Sequence, residues 1–213
     1  ILPELAEGKG MPQRADFHAH DVLEHSFRTC RYADPRVRLS ALLHDVGKPA
    51  VYRQTGKYHG HDAAGEAIAR AVLERLKAPK KVTDTVCRLT ALHMYDLDGK
   101  ARESKVRAFL VRNVDVYELL ALLKQADYSG CKDDLARCPT LTKWDGILAA
   151  MRAEGVPFTL RELAVRGNDL AGLVPAQKTG DVLQKLLLFC AQDGRRNERG
   201  RLLKEAARLA AEV

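Results

Sequence analysis

The chain has 213 residues, of which 46% are hydrophobic and 30% are charged. This apolar content is enough for a packed core and excludes wholesale disorder, while no uncharged run reaches the roughly 18 residues that a membrane-spanning helix needs. The formal net charge of +7 favours an anionic partner, such as a phosphate, a nucleotide or RNA.

Helical periodicity dominates the N-terminal part of the chain, and no run of alternating β-branched residues predicts a strand. Asp34-Pro35 separates the first two predicted helices, and Gly47 followed by Pro49 ends the second. The predicted fold class is therefore all-α, with short loops. The helices expected in chain order cover residues 21–33, 36–47, 61–78, 80–94 and 115–127.

The composition changes near Gly155 and Pro157, which interrupt the helical pattern. We therefore predict a domain of residues 1–152 and a C-terminal helical extension of residues 153–213. Two amphipathic helices are expected in the extension, separated by the basic stretch GRRNERGR at 194–201. The extension is short for a core of its own, so we expect it to pack against the main helices.

The five cysteines are odd in number and include no CxxC motif, so they are expected to be reduced thiols of a cytoplasmic protein. Small buried apolar side chains are their ordinary role, and nothing supports a cysteine nucleophile. The N-terminal sequence lacks the basic and apolar regions of a signal peptide. Because the chain starts with Ile1, we expect a cut edge or a processed start, and the oligomeric state is left open.

All seven histidines lie within the first 93 residues. The most informative segment is LSALLHDVGKP at 39–49, in which His44 and Asp45 end an apolar helix. A buried imidazole and a buried carboxylate need pairing or a metal ion. Lys48 follows one helical turn after His44, so its ammonium group is expected over the same pocket.

Three further polar residues, His25, His93 and Asp127, complete or follow apolar helix faces, which predicts that they point inward. For each residue alone, a hydrogen-bonded core side chain is the ordinary interpretation. Their coincidence with a His-Asp pair favours a common site instead.

The ordered series His25, His44-Asp45 and Asp127 resembles the H…HD…D pattern of the HD-domain metal-dependent phosphohydrolases. The phrases HDVLEHS, RLSALLHDVGKP, TGKYHGHDAAG and LTALHM resemble the HD domain of bacterial tRNA nucleotidyltransferases, the CCA-adding and poly(A) polymerase-like family. LRELAVRGNDLAGLVPAQKTGDVLQKLL and NERGRLL resemble the segment that follows that domain. The resemblance covers nearly the whole chain and implies an HD-domain helical bundle with a short helical extension.

The resemblance also implies a ligand set for a first metal ion, namely His25, His44, Asp45 and Asp127. HD domains that hold two metals add two histidines between the HD pair and the last aspartate, and this sequence offers His61 and His93. His59 competes with His61, which we prefer because it opens the helix that begins at Asp62. Asp45 would bridge the two ions.

Imidazole and carboxylate ligands suit one or two divalent ions of Mn, Fe, Co, Ni or Mg, and the lack of a Cys pair argues against structural zinc. Two cations about 3.5–4 Å apart would polarise a phosphoryl group and lower the pKa of a bound water. Asp45 and Lys48 are the predicted catalytic residues, Lys48 by neutralising a phosphate oxygen. Asp62 is a candidate for orienting a ligand, and His18 and His20 are expected to be peripheral.

Further positive charge is expected to bind the substrate phosphate. Within the basic segment 100–112, Lys105 and Arg107 are the candidates, with a solvated helix face as the alternative. A second basic cluster could contact an RNA backbone or be a solvated loop. This cluster consists of Arg195, Arg196, Arg199 and Arg201. Aromatic residues make up only 6% of the chain, which argues against base stacking on single strands.

The function predicted is a metal-dependent phosphodiesterase or phosphatase that acts on nucleotides, 2′,3′-cyclic phosphates or RNA ends. One alternative is the RNA-binding body of a tRNA nucleotidyltransferase, with tRNA as partner, and another is a hydrolase of nucleoside triphosphates or signalling nucleotides. The sequence shows no P-loop and no polymerase head, and Asp133-Asp134 is better interpreted as surface charge. The complete His and Asp set favours the enzyme.

Overall fold

The computed structural model describes residues 1–14 and 16–211, and within these ranges the regular structure is helical, without strands. The all-α prediction is therefore confirmed. In the same ranges, no helix combines the length and the apolar character needed to cross a membrane. The α-helices are α1 (Pro3–Ala6), α2 (Val22–Tyr32), α3 (Arg38–Leu43), α4 (Lys48–Thr55), α5 (His61–Arg75), α6 (Lys80–Leu92), α7 (Glu103–Arg112), α8 (Tyr117–Lys132), α9 (Pro139–Ala153), α10 (Thr179–Cys190) and α11 (Arg199–Ala211).

Short 3₁₀ turns complete the secondary structure. They cover Pro35–Val37, Leu160–Glu162, Gly167–Leu170, Ala176–Lys178 and Gly194–Arg196. The helix predicted at 36–47 is shorter than expected, because α3 ends at Leu43 and a turn of residues 44–47 follows. Pro49 does not terminate a helix as predicted. It stands in the first turn of α4, where the missing N–H of proline costs nothing.

Two compact units make up the chain, the first of Ile1–Gly99 with Val116–Thr142 and the second of Lys100–Asp115 with Lys143–Val213. The predicted division at residue 152 differs from this one. The reason lies in α7, whose side chains pack with the later helices. The Phe109 ring lies 5.3 Å from the Trp144 ring, and Arg107 donates a 2.8 Å hydrogen bond to the Ala191 carbonyl.

In the first unit, α3 is the central helix and packs against α2, α6 and α8, while α5 packs along α6. The turn after α3 therefore lies inside the unit rather than at its edge. Apolar side chains from α3, α5 and α6 surround it. The buried members of this core include Leu43, Val46, Ala69, Leu73, Val86 and Cys87.

The second unit has its own buried core. Its helices α10 and α11 pack against each other, and the 3₁₀ turns between residues 160 and 196 pack against α10. The fully buried side chains of this unit include Trp144, Met151, Leu163, Leu170, Leu186 and Leu202.

Helix α2 carries its polar residue His25 inward because the helix is capped and amphipathic. The Asp21 side chain accepts a 2.8 Å hydrogen bond from the Glu24 N–H and fixes the first turn. His25 then shares the buried face with Val22 and Thr29, at helical spacings of three and four residues.

Glycines permit two close approaches around the centre of the first unit. A Cβ at Gly47 would clash with the His61 carbonyl oxygen and lie 2.5 Å from the Gly65 nitrogen, so the turn after α3 can lie directly against α5. A Cβ at Gly130 would lie 2.5 Å from the Thr29 hydroxyl oxygen, so α8 approaches α2 closely at that level.

Replacing Gly130 by alanine is expected to destabilise the protein by about 1–3 kcal/mol, because the added methyl group overpacks the contact between α8 and α2. Gly146→Ala is the matched control, since Gly146 is also inside a helix but a Cβ there meets nothing within 4 Å. That control is expected to be neutral or stabilising by up to about 1 kcal/mol. Urea unfolding followed by circular dichroism measures both, and equal midpoints would contradict the close approach.

Candidate metal centre

Six predicted ligands lie together in the core of the first unit, although they come from five different segments. His25 is on α2, His44 and Asp45 follow α3, His61 opens α5, His93 follows α6 and Asp127 is on α8. All six are buried, with exposed fractions between 0% and 8%.

The first group of donor atoms surrounds one oxygen of Asp45. His25 Nε2 lies 3.0 Å from Asp127 Oδ1 and 3.2 Å from His44 Nε2. His44 Nε2 in turn lies 3.2 Å from Asp45 Oδ2. Two imidazole nitrogens and two carboxylate oxygens therefore converge, which is the donor set predicted for a first metal ion.

The second group surrounds the other oxygen of the same carboxylate. Asp45 Oδ1 lies 3.1 Å from His61 Nε2 and 3.6 Å from His93 Nε2. The two histidine nitrogens are 3.2 Å apart. Asp45 thus directs one oxygen to each group, which is the arrangement that a bridging ligand requires.

The tautomers of three histidines are fixed by the backbone. His44, His61 and His93 each place Nδ1 2.6–2.7 Å from the carbonyl oxygen three residues earlier, so Nδ1 carries the proton and donates. The carbonyls belong to Ala41, Tyr58 and Thr90. Nε2 of each ring is then directed into the pocket, where it can bind a proton or a metal ion, and the Nε2 atoms of His61 and His93 face each other at 3.2 Å, a distance that favours a cation between them. The donor set therefore fits a divalent metal ion.

The charges of the pocket favour a cation at its centre. Burial alone would raise the pKa of Asp45, but the neighbouring His44 and Lys48 hold that pKa well below its ordinary range. Burial also opposes ionisation of Asp127, whose pKa is held low by hydrogen bonds from His25 and His44. Burial would lower the pKa of His44, whereas Asp45 and Asp127 raise it to about 10. Two ionised carboxylates therefore stabilise positive charge here.

Lys48 lies against the centre, as the sequence predicted. Its Nζ donates hydrogen bonds to Asp45 Oδ2 at 2.6 Å and to Gln13 Oε1 at 2.5 Å, and the residue is 7% exposed. The sequence does not predict the role of Gln13, because this residue lies outside any periodic segment. Nothing in the sequence indicates that the segment before α2 contacts the start of α4.

Lys105 and Arg107 lie on α7 in the second unit. Arg107 is buried, and its guanidinium group donates to carboxylate oxygens of Glu154 and Glu103 as well as to the Ala191 carbonyl. These contacts give Arg107 a structural role within the second unit. Lys105 is exposed. Binding of substrate phosphate by either residue stays a prediction.

The remaining histidines divide into one neighbour of the centre and two outer residues. His18 is predicted to be peripheral, but its ring lies edge-on to His25 with the centroids 4.6 Å apart, and burial lowers its pKa to about 4. His18 lies in a loop, where no periodicity indicates the direction of a side chain. His20 Nε2 lies 3.9 Å from an Asp133 oxygen, and His59 is exposed.

Comparison with known proteins agrees with this geometry. An all-helical core that gathers four histidines and two aspartates around one pocket defines a candidate metal-binding domain. Residues 20–128 match the HD domain family, and the chain belongs to that family.

Curated relatives include two tRNA nucleotidyltransferases and a multifunctional CCA protein. The A-adding tRNA nucleotidyltransferase of Deinococcus radiodurans is 32% identical over 87% of this chain and 46% of its own length. The CC-adding tRNA nucleotidyltransferase of Thermus thermophilus is 35% identical over 59% of this chain and 31% of its own length. The multifunctional CCA protein of Neisseria meningitidis is 41% identical over 41% of this chain and 24% of its own length. The chain spans less than half of each relative, and the predicted family resemblance is confirmed.

Loss of individual ligands is expected to change the metal content in a pattern that follows the two donor groups. His93→Ala removes a donor of the second group only and should lower the bound metal from two ions to one. Asp45→Asn removes a charge shared by both groups and should weaken the binding of both ions. Manganese binding by calorimetry and metal analysis after dialysis measure this. His59→Ala, at an exposed histidine, is the control that should keep the wild-type content. Unchanged binding in Asp45→Asn would contradict the bridging arrangement.

Proposed function

We propose that this chain is a metal-dependent phosphohydrolase that cleaves phosphate esters of nucleotides, 2′,3′-cyclic phosphates or RNA ends. The observation that carries the proposal is the buried Asp45 carboxylate, which directs one oxygen to each of two histidine groups and is paired with Lys48. Such a combination of a bridging carboxylate and a nearby ammonium group suits phosphoryl chemistry.

The nitrogen and oxygen donors suit Mn, Fe, Co, Ni or Mg. When bound, such ions polarise a phosphate oxygen and lower the pKa of water. The residues that would hold them are His25, His44, Asp45 and Asp127 in the first group, and Asp45, His61 and His93 in the second.

Lys48 is the residue best placed to bind the substrate phosphate directly. An ammonium group has three N–H donors, and two of them are directed to Asp45 and Gln13. The third can donate to a phosphate oxygen. Because Lys48 is held by both hydrogen bonds before substrate arrives, it needs little reorganisation to stabilise the charge that develops during cleavage.

The names of the relatives support a substrate from the same chemical class. Two of them are tRNA nucleotidyltransferases and the third is a multifunctional CCA protein. We therefore propose a nucleotide or an RNA end as the natural substrate, rather than a sugar phosphate or a phosphoprotein.

Hydrolysis of 2′,3′-cyclic AMP, 2′-AMP, p-nitrophenyl phosphate esters and dNTPs, with added Mn, Ni, Co or Mg, tests the proposal. His44→Ala and Asp127→Ala each remove a donor of the first group, and we expect kcat/KM to fall by more than about 100-fold. Lys48→Ala is expected to lower kcat by about 100-fold or more. His59→Ala should remain active. Hydrolysis that survives both ligand substitutions would refute the metal-dependent mechanism.

A second candidate function, an RNA-holding module, is favoured by a basic groove in the second unit. This groove has a volume of about 450 Å³. Arg196 lies over the Phe189 ring, with its guanidinium carbon 4.6 Å from the ring centroid, while Arg201 and Lys204 are exposed. The groove is lined by Phe189, Arg196, Arg201, Lys204, Glu205 and Arg208. Such an excess of basic side chains suits the phosphates of an RNA backbone.

Replacing Arg201 and Lys204 together by glutamine is expected to weaken tRNA binding and to reduce the slope of log K against log salt by about two, since each basic side chain would neutralise one phosphate. Fluorescence anisotropy with labelled tRNA over a salt series measures the slope. Lys9→Gln with Lys81→Gln removes the same net charge from exposed positions of the first unit. Equal effects of the two double variants would show that the groove is not the binding surface.

A further inference from the structure

Two tyrosines stand beside Lys48 at the edge of the candidate metal centre. Lys48 and Tyr52 are four residues apart on α4, so they share one face of the helix. Helix α4 is capped by Gly56 in the left-handed conformation, with φ of 67°, and the chain then returns to place Tyr58 against the same face. The Tyr52 and Tyr58 rings are stacked, with centroids 5.1 Å apart and planes inclined by 26°.

Tyr58 is held in place from both ends. Its hydroxyl donates a 2.5 Å hydrogen bond to the Pro12 carbonyl, and its own carbonyl accepts the 2.7 Å hydrogen bond from His61 Nδ1. Its ring lies 5.8 Å from Lys48 Nζ. The position of the tyrosine pair is therefore coupled to a predicted metal ligand and to the predicted phosphate-binding ammonium group.

Tyr52 forms the open side of the pair. It is 39% exposed, although one of its faces is stacked on Tyr58. A single exposed aromatic side chain, such as Phe27 at 50%, is ordinary on a protein surface. An exposed ring that is pre-stacked on a fixed second ring, beside a buried lysine, offers a rigid flat surface where a substrate would enter.

We propose that Tyr52 and Tyr58 form a nucleobase-binding subsite, on which the base of a nucleotide or RNA end stacks while its phosphate lies at Lys48. This inference rests on the proposed phosphohydrolase function. It identifies the nucleobase as the part of the substrate that the enzyme would recognise. Stacking tolerates all four bases, because each has a flat π face. The subsite therefore favours substrates that carry a base over those that lack one, without distinguishing between the four bases.

The hydroxyl of Tyr58 is not free for acid-base chemistry. It donates to the Pro12 carbonyl, and burial raises the pKa of Tyr58, so the phenol stays protonated. Its contribution is therefore through the ring face. The low aromatic content predicted little base stacking, but a total composition does not reveal that two tyrosines six residues apart are brought face to face.

The test compares 2′,3′-cyclic AMP with methyl ribofuranoside 2,3-cyclic phosphate, which has the same cyclic phosphate but no base. Tyr52→Leu is expected to raise KM for the nucleotide by at least about 5-fold, the lower range for one stacked base, so that the preference over the base-free compound shrinks by the same factor. Tyr52→Phe keeps the ring and should retain the preference. Phe27→Leu, an exposed aromatic substitution on α2, should leave both KM values unchanged.

Three outcomes separate the inference from the proposed function. A loss of preference in Tyr52→Leu but not in Tyr52→Phe supports the base subsite. An unchanged preference in Tyr52→Leu overturns the subsite while hydrolysis itself still stands. If the wild-type chain cleaves neither compound, the proposed function fails, and calorimetric binding of 2′-AMP decides the subsite. Weaker binding by Tyr52→Leu than by Tyr52→Phe then supports it, and equal binding overturns it.

Discussion

The burial of the Asp45 carboxylate is the constraint on which the rest of the first unit depends. A carboxylate that is 1% exposed is costly unless positive charge and hydrogen-bond donors surround it. Lys48 pairs with one of its oxygens, and histidines approach both. The five segments that carry the predicted ligands meet at this point, where α3 packs against α2, α6 and α8.

The ends of helices supply the geometry of the ligands. His44 and His93 are the C-cap residues of α3 and α6, where the last carbonyls of a helix lack N–H partners. Each ring satisfies one of these carbonyls through Nδ1 and so directs Nε2 into the pocket. One hydrogen bond therefore caps the helix and sets the tautomer. This is consistent with the H-D pair following α3 rather than lying within it. Gly47 is needed for a separate reason, because the turn lies directly against the backbone of α5 at that residue.

Apolar periodicity predicted the helical fold, and the family resemblance supplied the six histidine and aspartate residues that the structure brings together. The sequence did not predict the turn at residues 44–47, since apolar periodicity continues through Val46 and hides the end of α3. The contacts of Gln13 with Lys48 and of His18 with His25 were not predicted. Both residues lie in a loop, where no helical periodicity indicates the direction of a side chain. The division into units was not predicted either, because the packing of α7 depends on residues far along the chain, such as Trp144.

Under the proposed function, specificity for a substrate would have to come from outside the predicted ligand set. The six predicted ligands are at most 8% exposed and contact one another, so they would reach a phosphate but not the group attached to it. The segments that can recognise this group are the ones joined by the Tyr58–Pro12 and Lys48–Gln13 hydrogen bonds. The first of these hydrogen bonds ties the loop before α2 to the loop after α4, and the second ties the same loop to the start of α4, so these segments form one rim beside Lys48. Under the proposed function, the base of a substrate would stack on the tyrosine rings of this rim, while its phosphate would lie at Lys48, beside the buried charges.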